Sequence, residues 1–169
     1  VAHRMLFTPI AGDLGGGVLL PGEYESVAAI GLAGKLSLNA NLYPDVATVT
    51  AYQAAYTDNG PIEPLWKLTI CGAFATGPAS KMVFVNTEGD ILDSDTDLYK
   101  ALANLVFWDV IGAISLGAGS IAIGDMDASA AIAVGASATC GNLKAGAAIN
   151  VGAGTIFLSV ESTSRAAVT

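Results

Sequence analysis

The chain has 169 residues and a mass of 17.0 kDa, is 53% hydrophobic and only 13% charged, and has a mean hydropathy of +0.57. That composition excludes a disordered polymer and supplies one core for a single domain over 1–169. Seven Lys plus Arg against fifteen Asp plus Glu leave a net charge of −8, which repels a phosphate backbone, so no direct nucleic-acid contact is expected.

The opening Val1-Ala2-His3-Arg4-Met5 has neither an initiator Met nor the long apolar run of a signal peptide, and reads as a start already trimmed. Gly15-Gly16-Gly17 is not followed by Gly-Lys-Ser/Thr, so it reads as a flexible lead-in to the first strand rather than a phosphate cradle. Strands are predicted at Tyr24–Ile30, Gly34–Leu42, Ala47–Tyr56, Leu65–Phe74 and Met82–Asn86. Turn clusters bound them at Leu20-Pro21-Gly22, Tyr43-Pro44-Asp45, Asp58-Asn59-Gly60 and Thr76-Gly77-Pro78. One short helix is predicted near 95–108, where Ser94-Asp95-Thr96-Asp97 offers caps and Leu98, Leu102 and Leu105 recur at spacings of four and three. Its tail, Val106 to Ile111, has strand propensity instead.

Beyond it the chain echoes itself three times: Ala113-Ile114-Ser115-Leu116-Gly117, Ala131-Ile132-Ala133-Val134-Gly135 and Ala148-Ile149-Asn150-Val151-Gly152. The isoleucines lie 18 and then 17 residues apart, and each unit alternates large apolar with small or polar before breaking at Gly. Convergence in an Ala/Gly-rich composition accounts for the echo, the alternative being a true repeat in a solenoid or a duplicated hairpin. A last strand is expected over Thr155–Glu161. The uncharged stretches 110–124, 128–143 and 145–160 fall short of the roughly 18 apolar residues of a membrane span.

No catalytic constellation emerges, and the chain reads as a non-enzyme without a cofactor. The sole histidine is His3, and with Cys71 and Cys140 it makes too few, too scattered ligands for zinc. The two cysteines sit among small and apolar residues and read as free thiols. Asp93, Asp95 and Asp97 alternate like the opening of a calcium loop, but Leu98 and Asn104 stand where Gly and Glu are needed, so helix capping is the stronger reading. Asp125 and Asp127 read as a solvated turn, and the aromatic residues as core.

Short strands, one helix, few charges and stretches such as Gly117-Ala118-Gly119-Ser120-Ile121 give a chain that resembles single jelly-roll coat proteins. The nearest likeness is to the smaller major capsid protein of tailless icosahedral phages with an internal membrane. The resemblance implies an all-β, antiparallel jelly roll, as barrel or sandwich, in a virion. It implies self-association into dimers or larger capsomers, a second, larger coat partner, and a membrane adjacent but not spanned. Contacts are then expected from the entry Gly12–Leu20, from Phe107 and Trp108, and from the tail 162–169 with Ser162 and Arg165. The alternative is an extracellular β-sandwich, either an adhesin or a carbohydrate-binding module with calcium at Asp93–Asp97.

Overall fold

The computed structural model describes residues 8–57, 64–86 and 89–157. Runs of two to five residues form the strands, most with apolar side chains at alternate positions that bury one side, and the turns between them decide what those strands pair with. Here each turn is a corner. The chain bends from one face to the next and returns to the first face one layer on, so like strands stack on like strands.

Six layers follow. The first coil has β1 (Thr8–Pro9), β2 (Gly12–Asp13) and β3 (Val18–Leu19), and the second β4 (Gly22–Ser26), β5 (Ile30–Leu32) and β6 (Lys35–Asn39). Helix α1 (Val46–Thr57) precedes the third coil, β7 (Trp66–Ile70), β8 (Phe74–Thr76) and β9 (Lys81–Val85). Helix α2 (Asp97–Ala103) precedes the fourth, β10 (Val106–Val110), β11 (Ile114–Leu116) and the single bridging residue Ile121. Next come β12 (Asp125–Ala128), β13 (Ile132–Val134) and β14 (Thr139–Cys140), then β15 (Leu143–Ala145), β16 (Ile149–Val151) and β17 (Ile156–Phe157).

Three faces result. Face A runs β1-β4-β7-β10-β12-β15, and face B runs β2-β5-β8-β11-β13-β16. Face C runs β3-β6-β9 and reaches β14-β17 through bridges from Lys81 to Ile121 and from Ile121 to Thr139. The strands of all three faces pair in parallel, which makes the molecule a parallel β-solenoid.

The core is a set of stacks. Ile30, Phe74, Ile114, Ile132 and Ile149 stand over one another inside face B, and Tyr24, Leu68, Trp108, Met126 and Leu143 inside face A. Phe74 stacks on Trp108 at 4.6 Å between ring centroids. The buried indole N–H groups are satisfied, Trp66 Nε1 donating to the Leu19 carbonyl at 3.1 Å and Trp108 Nε1 to that of Ile123 at 2.9 Å.

The corner from face B to face C repeats a four-residue turn: Gly77–Ser80, Gly117–Ser120, Gly135–Ala138 and Gly152–Thr155. Its third residue is left-handed, with φ of 59° at Ala79, 69° at Gly119, 61° at Ser137 and 75° at Gly154. In the last three of these turns the first residue must be Gly for a different reason. A Cβ on Gly135 would lie 2.6 Å from the Ala118 nitrogen, and one on Gly152 would lie 2.6 Å from that of Ala136, so only bare backbone lets the coils close on one another.

The antiparallel jelly roll, barrel or sandwich expected from the sequence is therefore wrong. Period two locates strands but carries no direction, and corner turns and hairpin turns share the same Gly-rich composition. The threefold echo is a real repeat, since Ile114, Ile132 and Ile149 are in register neighbours. The strand expected over Ala47–Tyr56 is α1. There Asp45 caps the helix, its Oδ1 accepting from the Thr48 N–H at 2.9 Å and the Thr48 hydroxyl at 2.7 Å, while Val49 is buried. The helix expected at 95–108 is α2 alone, and its last residues belong to β10.

Candidate functional site

The three outer surfaces differ in chemistry. Face A points Glu23, Lys67, Phe107 and Asp125 outward in one rank, and Glu25, Thr69, Asp109, Asp127 and Lys144 in the next. Face C is bordered by the segment 91–99, which shares a groove with Val83, and its Ser37 and Val83 are 9% exposed. Face B carries almost nothing. Its central rank reads Gly31, Ala75, Ser115, Ala133 and Asn150, with Ala73, Ala113, Ala131 and Ala148 beside it at the starts of the strands.

Small outward residues on both ranks leave an uncharged surface over successive coils, hollowed around Gly31 and Ala75 and carrying, among the described residues, a charge at Asp13 in the first coil. That carboxylate is held low in pKa by two backbone donors, the Ala33 and Gly15 N–H groups, at 2.9 and 2.8 Å. Coils repeat every 4.7–4.9 Å, roughly, and successive outward residues on one strand lie about 6.6 Å apart, so the face is a two-dimensional grid.

The sequence-predicted residues lie elsewhere. Asp93, Asp95 and Asp97 serve the start of α2: Asp93 Oδ1 accepts from the Asp95 N–H at 3.0 Å, the Thr96 hydroxyl donates to the Asp93 carbonyl at 2.8 Å, and Asp97 opens the helix. No cluster of three metal-ligating side chains forms among the described residues. Phe107 is half-buried on face A, whereas Trp108 is fully buried in the core and offers no surface to a partner. The entry Gly12–Leu20 is part of the first coil, while Ser162, Arg165 and the rest of the tail lie outside the described residues. Cys71 is exposed at the corner between faces A and B, and Cys140 is buried on face C. Both are free, and burial pushes the Cys140 thiol up to about 12.

The signal for the grid is present in the sequence, though alternation alone does not align the strands that compose it. The echo contains Ala113-Ile114-Ser115, Ala131-Ile132-Ala133 and Ala148-Ile149-Asn150, and the outward letters on either side of each isoleucine are the grid itself.

The chain is a parallel β-solenoid with one uncharged face of small side chains. No protein-family model and no curated protein matches the chain. Among solved structures, it is similar to the ice-binding protein of the Antarctic ascomycete Antarctomyces psychrotrophicus, with a TM-score of 0.63 and 25% identity over 92% of this chain. It also shares its fold with a domain of a Shewanella frigidimarina ice-binding protein (TM-score 0.62, 18% identity, 89% of this chain). A third likeness is to the ice-binding protein of an Antarctic Flavobacteriaceae bacterium (TM-score 0.63, 20% identity, 96% of this chain). The chain spans 61%, 51% and 32% of those three chains. These likenesses overturn the resemblance to phage coat proteins, and with it the capsid function and the virion. The adhesin and carbohydrate-binding alternatives find no support in them either.

Proposed function

We propose that the chain binds ice, and that face B is the surface it uses. The carrying observation is the uncharged grid of small outward residues from Ala73 and Ala75 to Ala148 and Asn150. Two waters bonded at about 2.75 Å to a common third, at the tetrahedral angle, lie about 4.5 Å apart. That is close to the coil repeat of about 4.8 Å, so water over face B meets the same environment at each coil. Alanine methyls leave such water nothing to bond on the protein side and favour a cage, while Ser115 and Asn150 offer it hydrogen bonds.

Face A fails the same requirement. Its carboxylates and ammonium groups hold water tightly in orientations of their own. On this reading the protein is a binder rather than an enzyme, acting outside the cell where ice grows. An anchored molecule makes the ice front advance in curved segments, which lowers the freezing point and leaves the melting point in place.

The test is Ala133→Tyr, which puts a bulky ring in the middle of the grid, against Thr69→Tyr on face A. The gap between melting and freezing temperatures is expected to collapse in the first variant and to persist in the second. A gap unchanged by Ala133→Tyr, at an unchanged melting temperature of the protein, would remove face B from the reading.

A further inference from the structure

We propose that a groove on the outer side of face C binds a single-chain amphiphile with an anionic head, of the fatty-carboxylate class. The site lies off face B and stands independently of ice binding. Its floor is one rank of side chains, Lys35, Lys81, Ile121, Thr139 and Ile156, each in register with the next. At about 4.8 Å per coil the rank is about 19 Å long. The groove encloses about 610 Å³, within the range of small-ligand sites.

The rank is charged at one end and mainly apolar at the other. Two lysines in register, Lys35 and Lys81, line the groove at one end, and neither meets a carboxylate among the described residues, in a chain whose net charge is −8. An anionic head at that end is attracted by two positive charges. The rest of the floor is mainly apolar, and Ile156 remains 56% exposed.

The wall is built rather than loose. Ile91 bridges back to Val85 in antiparallel sense, and the Leu92 N–H donates to the Phe84 carbonyl at 2.9 Å, which holds 91–92 beside the floor. Ile91 is itself 53% exposed, facing a groove that also includes the ring of Tyr99. A carboxylate on the two lysines therefore directs an alkyl chain along Ile121 and Ile156, under Ile91, and displaces water from all three.

Titration of the full chain with dodecanoate, dodecanol and dodecyltrimethylammonium, each below its micelle concentration and followed by calorimetry and native mass spectrometry, tests this. One dodecanoate per chain is expected, with both other amphiphiles weaker by about tenfold or more. The Lys35→Met/Lys81→Met variant should lose about tenfold in dodecanoate affinity, and Ile156→Gln should weaken it while leaving the head site intact. Both should keep the freezing gap of the parent, so the outcome is separable from that of face B. No dodecanoate uptake, or uptake indifferent to the two lysines, overturns the proposal. Equal uptake of all three amphiphiles also overturns it, since it would mark an apolar surface that any hydrophobic segment can cover, residues 158–169 or a second copy included.

Discussion

Gly135 and Ala79 occupy equivalent corners and obey opposite constraints. At Gly135 the limit is space, because an added Cβ would sit 2.6 Å from the Ala118 nitrogen, which is backbone and cannot swing away. Gly135→Ala should therefore cost about 2 kcal/mol, read as a lowered urea midpoint. At Ala79 the limit is conformation, since a φ of 59° strains any residue with a Cβ. Ala79→Gly relieves that strain and loses part of the gain to chain entropy, so a small rise of about 0.5 kcal/mol is expected in the same assay. Titration adds a second prediction at this scale. Burial raises the Tyr99 phenol from 10.0 and the Cys140 thiol from 9.0, each to about 12. The fold thus favours the protonated forms. Their contribution is intact below pH 9.0 and drains away as pH climbs towards about 12, because the unfolded chain releases those protons first. Melting temperatures measured across that window should fall, and less steeply in Tyr99→Phe.

Among the elements, the helices were the harder to read. In α1 the run Val46-Ala47-Thr48-Val49-Thr50 is β-branched enough to suggest a strand, and propensity is a weak guide where packing decides. What makes it a helix is local and polar at one end, apolar in the middle: Asp45 caps it, Val49 is buried, and Tyr52 meets Tyr43 edge-on at 5.8 Å. Asp45→Ala should lower stability by about 1 kcal/mol in thermal unfolding, and restoring Asn should recover most of it. For α2 the start was legible and the end was not. Thr96 caps it as its sequence suggested, accepting from the Tyr99 N–H at 3.2 Å, but Val106–Val110 is recruited by β7 and β12 on either side. A neighbouring strand at each edge outweighs three leucines at helical spacing.

For the whole molecule, strand positions were largely legible and their arrangement was not. Alternation reveals which residues face inward, and it gave β4, β6, β7 and β9 within a few residues. Direction depends on whether a Gly-rich turn reverses the chain or merely bends it, and both kinds draw on the same residues. The decisive clue is the near-constant interval from Ile114 to Ile132 to Ile149, 18 and then 17 residues, which stacking in register rewards. The uncharged face is hard to see for a related reason. The proposed function there rests on small side chains in a regular array, and no single alanine signals anything by itself.

That near-constant interval also acts as a ruler. In the last three coils the chain advances by 18 residues and then 17 with no inserted helix, so a whole layer can be excised without disturbing those that remain. Removing residues 117–134 joins Leu116 to Gly135 and brings every later side chain back to its own face, because Leu116 and Val134 are register partners. The corners tolerate a residue more or less, since the 18-residue and 17-residue coils keep the same inward side chains. The deletion should fold with a cooperative melt in circular dichroism, at lower stability, and on the proposed reading should keep a reduced freezing gap; loss of the cooperative melt would show that the layers are not interchangeable. The area of face B is then a quantity set by the number of layers.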